Sequence, residues 1–327
     1  MKKRYIYMVC TIALLCAILV MSTASAADEI VWEYTGAAAP LSAERLPNGN
    51  TLIADTGNFK VIEVTPDGTI VWEYLCTGAL GPSDADRLPN GNTLITMFGD
   101  EFWIGHVTEV TPGGVIVWEY SGDVNYLDAD RLPDGNTLIA DFQDRAFEVD
   151  PDGIIVWEYA NPYESCTVEV DRLSNGNTLI ATWVGVMEVT PAGTIVWQYP
   201  DAGSFGGDAD RLPDGNTLIS DANNNRVIEV DPAGTIVWEY ITGGEPTTVE
   251  RLSNGNTLIC DPVLNLVFEV STVVPDWNLT LTGEVTDTIN RTSFEEGAAC
   301  HNASWNDGTN TWAGIPLWRL VGWVDDL

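Results

Sequence analysis

The stretch "RLPDGNTLIADFQDRAFEVDPDGIIVWEY", Arg131–Tyr159, decides the fold, because the chain writes nearly the same stretch six times. Equivalent copies begin at Arg45, Arg87, Arg172, Arg211 and Arg251, at successive spacings of 42, 44, 41, 39 and 40 residues. Within a copy, the arginine closes a short strand such as Asp128-Ala129-Asp130-Arg131-Leu132. A turn of the form Pro-Asp-Gly-Asn, Pro-Asn-Gly-Asn or Ser-Asn-Gly-Asn follows, with glycine where a positive φ is required. Thr-Leu-Ile is a second strand, a variable loop leads to a third ending Glu-Val, and a second turn feeds a fourth, Ile-Val-Trp-Glu-Tyr. Four β-branched and aromatic-rich strands joined by tight turns make one antiparallel sheet. Sheets repeated at this period are propeller blades.

The two kinds of strand run out of phase. Ile30–Tyr34 is a fourth strand with no preceding three, and the last unit, Val249–Val270, has three strands and no fourth. The expected fold class is therefore all-β: a six-bladed β-propeller of four-stranded antiparallel blades over residues 27–274. The N-terminal strand completes the last blade and leaves no open edge. A C-terminal extension, 275–327, follows.

The two ends differ in character. Lys2, Lys3 and Arg4 precede the apolar run Tyr5–Met21, and Ala24-Ser25-Ala26 supplies small residues for cleavage, which reads as a signal peptide over 1–26 and a secreted or cell-surface product. After residue 26, eleven basic residues stand against 48 acidic ones, a net charge of −37. Such a surface repels nucleic acid and anionic lipid and suits cations or basic partners. Membrane insertion after cleavage is not expected, since no later stretch reaches the length of a membrane-spanning helix. Cys76, Cys166, Cys260 and Cys300 are too scattered to form a disulfide framework.

Six internal copies separate scaffold from site. A residue present in every blade serves the blade; one present in a few is free to serve a ligand. Arg45, Arg87, Arg131, Arg172, Arg211 and Arg251 recur with Glu63, Glu109, Glu148, Glu188, Glu229 and Glu269, the pattern of a structural charge pair. The tryptophan of the fourth strand recurs in all six copies and reads as packing. The acids before the arginine are more informative. Blades two, three and five share Asp-Ala-Asp-Arg-Leu, so Asp84 and Asp86, Asp128 and Asp130, and Asp208 and Asp210 fall in same-face pairs on the strand that lines the axis. Glu44, Asp171 and Glu250 hold the arginine-proximal position in the other blades, and Ser42, Glu169 and Thr248 the other one. Asp55, Asp141, Asp221 and Asp261, at the ends of second strands, are expected to add to the same mouth. Oxygen ligands gathered from several strand ends suit Ca²⁺ as the bound metal.

Symmetry breaks in the second blade. Ile95 to Glu109 spans 14 residues against 8 to 10 elsewhere, and the excess carries Phe98, Phe102, Trp103 and His106. Trp183 of blade four stands where other blades have acidic or small residues. These five residues are the expected ligand-binding group at an aromatic and acidic mouth, fit for a cationic or sugar-like small molecule, or for a protein partner.

"LPNGNTLIADTGNFKVIEVTPDGTIVWEY", Leu46 onward, resembles the repeats of secreted arylsulfotransferase-like propellers and is similar to the wider PQQ-like and NHL-type repeats, over residues 28–271. The resemblance implies architecture before activity. Arylsulfotransferases use histidine at the ring centre. Only His106 and His301 remain here after the leader, and neither lies in an arginine-bearing strand. The tail, with Trp277 to Gly283, Cys300, Trp305 and "WAGIPLW" from Trp312, is similar to the opening of the sulfite-oxidase-like molybdopterin domain. By that resemblance Cys300 falls on the molybdenum-binding cysteine, and the cofactor would need a molybdopterin domain completed elsewhere or supplied in trans. Sequons stand at Asn278, Asn290 and Asn302. The resulting expectation is a ligand- or partner-binding propeller with a cation at one channel mouth. The alternative is a fragment of a molybdopterin oxidoreductase or an arylsulfotransferase-like transferase.

Overall fold

The computed structural model describes residues 29–77, 80–99, 104–163, 165–200 and 207–271, with four short strands between 278 and 313. The chain divides into two compact units, Asp28–Thr272 and a second comprising Met1–Ala27 and Val273–Leu327. In the second, the described elements are two hairpins, Asn278–Thr282 with Thr286–Asn290 and Ser304–Asn306 with Thr311–Ala313. The leader, Phe102, Trp103 and Cys300 lie outside the described residues. No helix among the described residues is long and apolar enough to cross a membrane.

There are six four-stranded antiparallel sheets; five have their strands in chain order, and the sixth joins the three strands of the last copy to the N-terminal strand. Blade three shows the pattern with strands Tyr126–Arg131, Thr137–Asp141, Arg145–Val149 and Ile155–Ala160. The first turn closes with Leu132 N donating to Asn136 O at 2.8 Å and Gly135 at φ 94°, a backbone state only glycine takes freely. The second strand is buried on both faces. Ile139 packs with Leu94, Val107 and Phe147 toward blade two, while Leu138 and Ala140 pack with Val170, Ile180 and Met187 toward blade four. An unbroken apolar run replaces polar alternation because neighbouring sheets cover both faces.

The ring closes as the phase mismatch requires. Ile30–Tyr34 adds antiparallel to Leu266–Val270, with Trp32 opposite Glu269 and Tyr34 opposite Val267. Closure removes the ends of the repeat array but not every edge. The fourth strand of each blade stays an outer edge, with Val71, Val117, Val156 and Val237 more than half exposed. In all six blades the register of the third and fourth strands shifts at the valine of this edge's Ile-Val pair, as at Val156 opposite Glu148 and Val149. Bulges and the glutamates beside the tryptophans blunt such edges.

The recurrent arginine is a clasp between blades. Arg131 Nη2 lies 3.0 Å from Glu109 Oε2 of the preceding blade, and its guanidinium sits 4.5 Å over the Trp118 ring of that blade. The other five arginines repeat this geometry, at 2.7–3.0 Å from the glutamate and 4.6–5.0 Å from the indole. The second glutamate oxygen is held by the turn asparagine, as in Asn92 Nδ2 to Glu109 Oε1 at 2.6 Å. Each clasp thus gives the guanidinium a carboxylate partner and a π-face and gives the glutamate a second hydrogen bond, although Nε of Arg131 is buried without a partner. Its presence in all six blades assigns it to the scaffold.

Candidate functional site: the axial cavity

The first strands run along the ring axis with side chains at alternate positions facing inward. They enclose a cavity of about 300 Å³. Two tiers of polar groups line it. The mouth tier, level with the ends of the second strands, is Ser42, Asp84, Asp128, Glu169, Asp208 and Thr248; the second tier, next to the clasp arginines, is Glu44, Asp86, Asp130, Asp171, Asp210 and Glu250. Ten carboxyl groups therefore face one space, and no basic side chain among the described residues lines it. The recurrent arginine, adjacent in sequence, points the other way into its clasp.

Backbone amides hold many of these acids. Arg87 N donates to Glu44 at 2.9 Å, Val170 N to Asp128 at 2.9 Å, Val249 N to Asp208 at 2.8 Å and Arg45 N to Glu250 at 2.8 Å, each tying one blade to the next. Asp84 is hydrogen-bonded by Ser42 and shares a further bond with Asp128. Glu169 departs from this pattern: its Oε2 is buried and has no hydrogen-bond partner.

The electrostatic consequence is uniform. Burial raises the pKa of all ten carboxyls above the usual range, and for most of them neighbouring carboxylates raise it further. Glu44 and Asp210 are each pushed up to about 7, by burial first and by facing acids second. Asp130 lies well above the carboxylate range for the same reasons, with Asp171 and Asp84 as the largest repulsive neighbours.

The aromatic part of the site differs from the sequence expectation. Phe98 and Trp183 do line the cavity, and Phe142 joins them. The strand register explains why. Met97, Asp141 and Thr182 each end a second strand opposite the start of a first strand, so Phe98, Phe142 and Trp183 occupy one equivalent position in three consecutive blades. Phe142 and Trp183 meet edge to face, with centroids 5.5 Å apart and planes at 89°. Phe142 directly follows Thr-Leu-Ile-Ala-Asp, and the acid beside it hides its equivalence to Trp183 in the sequence. Thr56, Ala222 and Pro262 hold this place in the other blades, so the collar is confined to one side of the mouth. His106 does not line the cavity. It sits in the third strand of blade two, with Nδ1 2.9 Å from Glu119 Oε1.

Asp55, Asp141, Asp221 and Asp261 do not add to the lining. They are at most 1% exposed and fold the loops beside them. Asp55 accepts from Ala38 N at 2.7 Å, and Asp141 accepts from Arg145 N and Nε at 3.0 and 2.9 Å. The six aspartates expected to take a metal all line the cavity, yet among the described residues no three His, Cys, Asp or Glu side chains are arranged to hold a metal ion.

No protein-family model matches the chain, and no curated protein matches it. Solved structures do. A catalytically inactive virginiamycin B lyase from Staphylococcus aureus with quinupristin superposes with a TM-score of 0.55 at 14% identity, covering 72% of this chain and 80% of that one. The WD40 β-propeller domain of Doa1 gives 0.56 at 13% identity, over 69% and 76%. A protein of unknown function from Bacteroides caccae gives 0.52 at 20% identity, over 63% and 80%. At these identities the likeness is one of fold, and the fold it shows is the β-propeller.

Proposed function

We propose that this chain is a secreted binding module whose axial cavity captures a cation. The carrying observation is the lining: ten carboxyl groups, no base among the described residues, and three aromatic side chains around one space. Burial and mutual repulsion oppose ionisation of these carboxyls, so the charged form of the set is strained near neutral pH. A bound positive charge relieves that strain, so binding energy is available without any change of fold. Calcium is the metal that an oxygen-only lining would suit. The same lining opposes an arylsulfate donor, whose anion would meet a wall of carboxylates.

The test is a thermal melt of the purified chain with multivalent cations, against NaCl at matched ionic strength to remove screening. A cation at a hundredfold excess over its dissociation constant should add about 2.7 kcal/mol. The double substitution Asp86→Asn with Asp130→Asn should abolish that gain. A response no greater than that to matched NaCl would overturn the proposal.

A further inference from the structure

We infer that the occupant of the axial cavity is an organic polycation, a diamine or polyamine, rather than a metal ion. This inference rests on the cation-binding reading above and narrows it. Three independent features point the same way.

The first is size and arrangement. A cavity of about 300 Å³ is at the lower bound of small-molecule sites, of roughly 300–1,000 Å³. A calcium ion draws six or more oxygens to one point at about 2.3–2.6 Å, whereas the carboxyls here are spread along the axis of the cavity. In blades two to five the carboxyls form two tiers two residues apart along the first strand, a separation of about 7 Å at the strand rise per residue. Two charges separated along an alkyl chain would meet both tiers; a point charge would meet one.

The second is the collar. Phe98, Phe142 and Trp183 come from blades two, three and four, and the mouth-tier acids Asp84, Asp128 and Glu169 come from the same blades. The facing side carries Ser42 and Thr248, whose hydroxyls bond Asp84 and Leu41 O. One wall of the mouth is thus aromatic and anionic together, the pairing that receives an ammonium group with methylenes attached. A hydrated metal gains nothing from it.

The third is Glu169 itself. The other mouth-tier acids are bonded across blades, but Glu169 Oε2 is buried and unpartnered. A buried carboxylate oxygen without a donor is costly, and it faces Asp128, Asp171, Asp208 and Asp210 rather than any base. Glu169 lines the cavity, so a rotation of its carboxyl toward an ammonium seated there would supply the missing donor.

Isothermal titration of the full chain at constant ionic strength distinguishes the outcomes, using ethylenediamine, putrescine, spermidine, CaCl₂ and NaCl as probes. Putrescine or spermidine should bind more tightly than ethylenediamine, whose nitrogens are too close to reach both tiers, and more tightly than Ca²⁺. Glu169→Gln should weaken the amine by about tenfold or more, as loss of a charge-assisted hydrogen bond does. The same variant should melt no lower than the parent without ligand, because glutamine keeps the shape of a side chain whose ionisation burial and the surrounding acids already oppose, so a folding defect cannot imitate the result. Trp183→Ala should weaken the amine by roughly threefold through loss of the cation–π contact and leave any Ca²⁺ response unchanged. Glu33→Gln, on the exposed outer strand, should change neither. Tighter binding of Ca²⁺ than of every amine would overturn the polycation and keep the cation site. No binding by any probe beyond NaCl would overturn both.

Discussion

At the scale of single residues, the repeat shows how one arginine can be fixed without serving a ligand. Arg131 reaches back one blade, pairs with Glu109, stacks on Trp118 and donates to Gly135 O at 3.1 Å. Arg131→Ala leaves Glu109 largely buried without its countercharge and should cost about 3 kcal/mol, read as a shift of the denaturant midpoint. Arg131→Lys keeps the charge but loses the planar fork that bonds and stacks at once, and should recover only part of that loss. A cost below about 0.5 kcal/mol for the alanine variant would place the clasp among ordinary surface contacts. The recurrence of this arginine in six copies was enough to assign it to the scaffold from sequence. Its partner blade was not, because a pair inside one sheet and a pair between sheets leave the same trace in the chain.

At the scale of elements, the N-terminal strand is the joint that makes a linear repeat into a ring. Ile30–Tyr34 covers the edge of Leu266–Val270, and Ser271 N donates to Glu29 O beside it. Trp32 and Tyr34 also pack on the core shared with blade one, which holds Ile53, Ile62 and Val267. Deleting residues 27–34 therefore removes a strand ladder, the indole under Arg45 and part of an interface together. The loss should be several kcal/mol, and the exposed edge should drive concentration-dependent association visible by light scattering. An unchanged melting temperature would refute the latch. The blade strands were legible because their apolar runs, turns and glycines repeat in step. The collar was only partly legible, since Phe98, Phe142 and Trp183 become equivalent through strand register, which loops of different length disguise.

At the scale of the whole molecule, the cavity dictates how stability depends on pH. Its carboxyls have pKa values raised in the folded ring, to about 7 for Glu44 and Asp210, against about 4 in an unfolded chain. Between these values the folded state holds more protons than the unfolded one, so stability falls as pH rises. The melting temperature of the ligand-free chain should thus drop steadily from about pH 5 to pH 8, opposite to a protein whose acids are held by salt bridges. Asp86→Asn with Asp130→Asn should flatten the slope. A flat or rising profile in the parent chain would show that the cavity carboxyls are solvated rather than enclosed.

The sequence by itself determined the blade, the number of blades and the closure, because these follow from local periodicity, turn chemistry and counting, all of which survive in one dimension. It also separated scaffold residues from free ones by internal comparison, and it brought Asp84, Asp86, Asp128, Asp130, Asp208 and Asp210 to the axis through the alternation of a strand. Only the tertiary structure decided which acids share a space. Asp55 and Asp141 are aspartates like Asp86 and Asp130, yet they turn into loop cores because backbone amides there donate to them. Glu169 looks unremarkable beside Asp171 in the chain, but the ring leaves its Oε2 without a donor. The number of enclosed charges is a property of six strands meeting around one axis. No single strand contains it.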